Sequence, residues 1–388
     1  MGGALFGQGL NFLAMLLPIL GGETGQLAYL MVPLSLGTIL SRSSILAFHA
    51  RYLTLPDRKR GVATSVSAAM LMVTTVTTLV VAGVVYLVAP SSGVAGVIAW
   101  AGYITFTNGI YFMAVAVATQ EKAMATYSRA RFWYGVANIL LTAVVVFLLP
   151  FRSGLVVVAG LTTLLGAAII LPRTANSVIG PLYTGRAALL DHDHRAYLRE
   201  SGGATAGTFL GELGFQLQGL LTPLFGQYQE LWASVVRITG GFGSLAQQVV
   251  APGMEARIAG SIRAGDEKTT RRLCIRALGG GLAFSILCAV ALLASLTVAL
   301  RGHDSFTTTS LTLAALYCIA VLSTSLSLKV PLMKRRVKAY TLLSTLRLIA
   351  LCSLLLTSGL ATFACITVLQ IILSAFSATI SLSKAANE

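Results

Sequence analysis

The sequence predicts an all-α polytopic membrane protein of about 12 transmembrane helices, in two six-helix lobes around a central cavity. Three observations carry this. The chain of 388 residues is 56% hydrophobic and 11% charged, with a mean hydropathy of +0.81, a membrane composition. Apolar runs of roughly 18–25 residues recur from one end to the other, at 3–21, 27–48, 62–89, 94–118, 132–150, 154–172, 203–225, 231–251, 277–300, 308–328, 339–357 and 360–382. Each is long enough to cross about 30 Å of hydrocarbon at ~1.5 Å per residue. Finally, basic residues alternate by side: with residue 1 inside, inner segments hold 23 of the 28 Lys and Arg, outer segments hold Arg152 and Arg301, and the spans hold Arg42, Arg237 and Arg347.

That bias predicts cytoplasmic termini by the positive-inside rule. It also accounts for the net charge of +15 and pI near 10.0 without nucleic acid. Membrane lipids are the expected partners of the basic segments, through anionic headgroups on the inner leaflet. The first run lacks a basic n-region and a small-residue cleavage site, so it reads as a span rather than a cleaved leader.

In chain order, the first span carries Gln8, Asn11 and Pro18, a polar and kinkable edge. Glu23-Thr24-Gly25 makes the outer turn. The second span ends with Ser35-Leu36-Gly37-Thr38 and then Arg42, which either snorkels to the inner headgroups or lines the cavity. Asn108 with Tyr111, and Tyr134 with Asn138, each share a helix face, as interhelical glue or as substrate contacts. The connection 173–202 contains Asp191-His192-Asp193-His194-Arg195, a solvated linker rather than a metal site, since adjacent loop residues rarely converge on one ion. The expected organisation is therefore an N-terminal lobe at 1–178, a cytoplasmic linker at 179–202 and a C-terminal lobe at 203–388. A faint repeat supports it: Leu16–Gly21 (LLPILG) echoes Leu221–Gly226 (LTPLFG), and Asp57-Arg58-Lys59 echoes Asp266-Glu267-Lys268.

The stretch Gly203–Pro252 concentrates the functional signal. Glu212, Gln216, Gly219 and Pro223 share one helical face, and Arg237, Gly241, Ser244 and Gln248 share another. An ionised group in a span marks a binding or transport path. The candidate substrate-binding residues are Arg237, Arg42, Arg347, Asn11, Asn108, Asn138 and Gln216. Glu212 is the candidate ion-coupling residue, taking a proton or Na+ or else neutralising Arg237. Gly240, Gly241 and Gly243 suggest close helix packing. Cys274, Cys288, Cys318, Cys352 and Cys365 have no close-spaced pair and read as small apolar core residues. No catalytic constellation, zinc-ligand spacing or nucleotide-binding glycine loop is present, so a transporter without a bound cofactor is expected rather than an enzyme.

The pattern resembles the polysaccharide or O-antigen flippases of the multidrug/oligosaccharidyl-lipid/polysaccharide exporter superfamily. The resemblance rests on Gly9-Leu10-Asn11-Phe12 through Pro18-Ile19-Leu20 to Gly25-Gln26-Leu27-Ala28-Tyr29, on Gly226-Gln227-Tyr228 to Trp232 and Arg237-Ile238, and on the following segment Pro252 to Asp266. It implies a secondary transporter of the bacterial inner (plasma) membrane that flips a polyprenyl-diphosphate-linked glycan by alternating access, alongside other polysaccharide assembly proteins. It also implies a cationic cavity, with Arg237 where the family places one arginine. Many relatives carry an arginine near the outer end of the first span, where this chain has Ile19-Leu20-Gly21. The alternative is a multidrug or cation antiporter of the same fold.

Overall fold

The computed structural model describes the chain apart from 1, 47, 49–51, 53–56, 122, 189–191, 247–250, 300–304, 328–329, 335–336 and 384–388; the side chains of 173–188 and of scattered other helical positions also fall outside it. Gln248, Asp191 and the side chains of His192 and Asp193 therefore lie outside the described residues. Thirteen long helices run in order, with no strand among the described residues. They are α1 (Gly2–Leu20), α2 (Thr24–Ser44), α3 (Asp57–Val88), α4 (Val94–Gln120), α5 (Met124–Ala143), α6 (Gly154–Ala188), α7 (His192–Leu220), α8 (Gln229–Leu245), α9 (Ala251–Arg263), α10 (Glu267–Ala299), α11 (Thr308–Ser323), α12 (Val337–Ser353) and α13 (Gly359–Leu382). The chain is an all-α polytopic membrane protein.

By length and composition, six segments among the described residues are able to cross a membrane: Lys59–Val88, Val94–Gln120, Ala125–Leu148, Gly154–Pro172, Glu267–Val298 and Gly359–Leu382. Shorter apolar helices cover Phe6–Leu20, Thr308–Ser323 and Thr341–Leu356. The expected runs 27–48, 203–225 and 231–251 are helical for most of their length but more polar. These are the helices that carry Arg42, Glu212 and Arg237.

Two stretches depart from their expected form. Much of 252–276, the inner segment between the expected spans 231–251 and 277–300, is helix α9, whose Ala251, Met254, Ile258 and Ile262 pack against Cys274, Ala277, Leu326 and Val330. The expected linker 179–202 is also mostly helical, since α6 runs to Ala188 and α7 begins at His192.

The chain forms two compact units. The first comprises Met1–Leu17 and Tyr29–Leu220. Its centre is α4, with 67% of its apolar window buried, whereas the corresponding window of α3 is 22% buried and presents Val76, Leu79, Val80 and Val84 outward as a lipid-facing side would. Tyr197 of α7 enters the cluster of Ile45, Phe48, Val66, Leu71, Met113 and Val117, and Lys59 pairs with Glu200 at 3.0 Å. Residues 203–220, expected in the second lobe, thus continue a helix anchored in the first unit.

The second unit comprises Pro18–Ala28 and Leu221–Glu388. Its centre is aromatic: Phe225 stacks on Trp232 at 4.2 Å, and Tyr317 and Phe363 meet Trp232 edge-on at 4.9 and 5.3 Å. Asp266 starts α10, accepting a hydrogen bond from the Thr269 amide at 2.9 Å. Hydrogen bonds from the Thr269 side chain and amide hold its carboxyl below the usual range. The two members of the second sequence echo thus stand at or next to the first residues of α3 and α10. Lys334, counted above as an inner-loop charge, is instead 4% exposed, and its ammonium donates to Ser381 O at 2.6 Å and Ser383 O at 2.8 Å. It satisfies carbonyls at the end of α13 and complements the negative end of the helix dipole.

Candidate functional site

The polar residues of α2, α4 and α7 converge within the first unit. On α2, Ser35, Thr38 and Arg42 fall at steps of three and seven, one helical face. Opposite them on α7, Glu212 and Gly219 are also seven apart. Ser35 lies against Gly219, and Arg42 Nη1 donates to Glu212 Oε1, so the two helices run antiparallel in matched seven-residue register. Glycine is needed here: a Cβ at Gly219 would sit 2.0 Å from Ser35 Oγ. Arg42 also stacks its guanidinium 4.7 Å from the centre of the Phe112 ring on α4. One turn earlier, Asn108 Nδ2 donates to Thr38 Oγ1 at 3.4 Å. Gln216 lies half-buried one turn from Glu212.

Glu212 pairs with Arg42 inside the first unit, where α7 packs on α2. The side chains of Arg42 and Glu212 are 33% and 12% exposed, so the carboxylate is the more enclosed partner and the cation keeps an open edge. Arg42 is thus an ion-paired residue packed on an aromatic ring, rather than a free snorkelling end group.

A second polar seam joins α1 and α5. Their backbones touch at Gly7 and Gly135, where a Cβ on Gly135 would meet the Gly7 carbonyl oxygen at 2.2 Å. Further along, Asn138 Nδ2 donates to Asn11 Oδ1, and Thr142 Oγ1 donates to Asn138 Oδ1 at 3.5 Å. Asn11, Asn138 and Asn108 thus all serve interhelical hydrogen bonds, the glue role weighed above.

In the second unit, Arg237 is half-buried on α8, two turns from Glu230 and on the same face. Glu230, which sequence reasoning left outside the spans, accepts a hydrogen bond from Thr24 Oγ1. Arg347 on α12 lies beside the buried Tyr317 at the edge of the aromatic centre. Gly240 is exposed with open space around it, so close packing is not its role. Cys274, Cys288 and Cys318 are buried as expected, whereas Cys352 and Cys365 are exposed; all five are free thiols. Among the described residues no His, Cys, Asp and Glu group is placed to hold a metal ion.

No family model and no curated protein matches this chain. Two solved structures do. An inward-facing multidrug resistance MATE family transporter of the MOP superfamily superposes with a TM-score of 0.62 at 13% identity, covering 97% of this chain and 93% of that one. The Vibrio cholerae MATE transporter VcmN is similar with a TM-score of 0.49 at 15% identity, over 98% and 94% of the two chains. The first likeness shows the fold, a twelve-span, two-lobe helical architecture. The chain is therefore a multi-pass membrane protein whose fold is similar to that of the first structure.

Proposed function

We propose that this chain is a secondary transporter that flips a polyprenyl-diphosphate-linked oligosaccharide or polysaccharide repeat unit from the inner to the outer leaflet by alternating access. The observation that carries this reading is charge. Within the described helices stand Arg237 and Arg347 near mid-helix, Arg131 two turns into α5 and Arg42 in the last turn of α2, against Glu212 and, at the start of α8, Glu230. Such a balance suits a substrate with a diphosphate or acidic sugar. Arg237 and Arg347 bind the anionic head, and Gln216, half-buried on α7, contacts its sugar. Glu212 is the coupling carboxylate: a proton or Na+ taken up there releases Arg42 toward the substrate phosphate. The protein works in the bacterial inner membrane with both termini cytoplasmic, beside other polysaccharide assembly proteins.

Multidrug export is the second reading. The similar inward-facing structure is a multidrug resistance transporter, and Glu212 already neutralises one of the four arginines. Purified protein in liposomes distinguishes the two. A fluorescent polyprenyl-diphosphate sugar should cross from one leaflet to the other in its presence, while a lipophilic cationic dye should not accumulate under a proton or Na+ gradient. Dye transport without sugar-lipid flipping would overturn the flippase reading in favour of the second.

A further inference from the structure

Arg131 lies in the apolar segment Ala125–Leu148, about 10 Å along α5 from its start at ~1.5 Å per residue. Its Nε donates to the Tyr127 hydroxyl at 3.0 Å, and its guanidinium carbon stands 5.5 Å from the Tyr127 ring and 5.8 Å from the Tyr111 ring. Tyr111 in turn stacks on Tyr134 at 6.1 Å. Among the described residues no carboxylate approaches Arg131 within ion-pair distance, unlike Arg42. The phenol oxygen of Tyr111, a residue only 6% exposed, also has no hydrogen-bond partner among them. A guanidinium without an anion and, on a ring centred 5.8 Å from it, a buried hydroxyl without a partner form a set of donors whose missing member is an anion. Each would otherwise carry a desolvation cost.

The neighbouring surface indicates the source of that anion. Phe6 and Trp133 are 59% and 51% exposed and flank Phe132, which stacks on Phe6 at 5.8 Å and meets Trp133 edge-on at 5.4 Å. An exposed tryptophan such as Trp133 sits at headgroup level in membrane proteins, and the exposed Phe6 beside it is a surface for acyl chains. We propose that Arg131, Tyr127 and Tyr111 bind the phosphate of a lipid headgroup that approaches across the Phe6, Phe132 and Trp133 rim. The guanidinium fork grips two phosphate oxygens while the Tyr111 hydroxyl donates to a third. The site lies wholly within the first unit and does not depend on which substrate the protein transports.

The test is lipid binding to the delipidated full-length protein by native mass spectrometry, with phosphatidylglycerol, a polyprenyl monophosphate and diacylglycerol as probes. Arg131→Gln should weaken a phosphate-bearing probe about tenfold, the worth of a hydrogen-bonded charge, and leave diacylglycerol unchanged. Loss for phosphatidylglycerol alone assigns the site to a resident phospholipid, and loss for the polyprenyl phosphate alone assigns it to a lipid-linked substrate. Should Arg131→Gln fail to fold, Tyr111→Phe decides, with a loss of about fivefold expected for one hydroxyl. Phosphate-lipid affinity that stays unchanged in the folded variants, or no preference over diacylglycerol, would overturn the site.

Discussion

Arg42 on α2 and Arg131 on α5 stand in the same unit, yet they are held in opposite ways. Arg42 has a carboxylate, Glu212, and a ring, Phe112; Arg131 has two phenol rings and one hydroxyl, with no carboxylate near it among the described residues. Lys334 adds a third solution, a buried ammonium held by the carbonyls of Ser381 and Ser383. The lesson concerns what a buried cation does once its partner is known. A charge matched inside the protein serves packing, or serves a switch when the partner is titrated. A charge held only by rings and a hydroxyl awaits an anion from outside.

Substitutions sharpen this contrast, read as changes in unfolding free energy by denaturant titration in mixed micelles. Glu212→Leu should cost the most, about 3 kcal/mol, because it strands Arg42; this is the lower end for a broken buried pair, since Arg42 is 33% exposed. Adding Arg42→Leu should recover most of that loss. A double variant no better than the single one would show that the pair is not coupled. Lys334→Met should cost about 2 kcal/mol by leaving the two carbonyls of α13 without their donor.

Arg131→Leu should cost only about 1 kcal/mol, since it removes one hydrogen bond and strands no carboxylate. A loss as large as that of Glu212→Leu would break the comparison and make Arg131 a structural residue. Asn138→Leu is the neutral reference. Interhelical hydrogen bonds in membranes average about 0.6 kcal/mol, and the variant should fall near that value.

Much of the architecture was legible because span hydropathy and helix length are local properties. The expected runs 94–118 and 360–382 became Val94–Gln120 and Gly359–Leu382. The charged residues of the site were legible as a list but not as pairs. Glu212 finds Arg42 across 170 positions of sequence, and nothing local distinguishes that partner from Arg237. Counting basic residues by side also hid two cations. Arg131 fell just outside the expected fifth span because α5 begins at Met124, and Lys334 sits in a basic cluster whose burial depends on the distant end of α13. Helix α9 escaped because Gly253, Glu255 and Arg257 break the continuous apolar run that a span needs, leaving only the narrow face of Ala251, Met254, Ile258 and Ile262 that packs against Cys274 and Ala277.

The central claim is that a cationic path moves an anionic lipid-linked glycan, and Arg237 tests it most directly because none of the structural roles argued above depends on it. The measurement is the amount of lipid-linked glycan held on the inner leaflet of cells carrying Arg237→Ala or Arg237→Lys at equal protein level. The account predicts accumulation with Arg237→Ala and partial export with Arg237→Lys, since lysine keeps the charge but loses the two-point grip on phosphate. Export by Arg237→Ala at the normal rate would contradict the account, and the multidrug reading would then take its place.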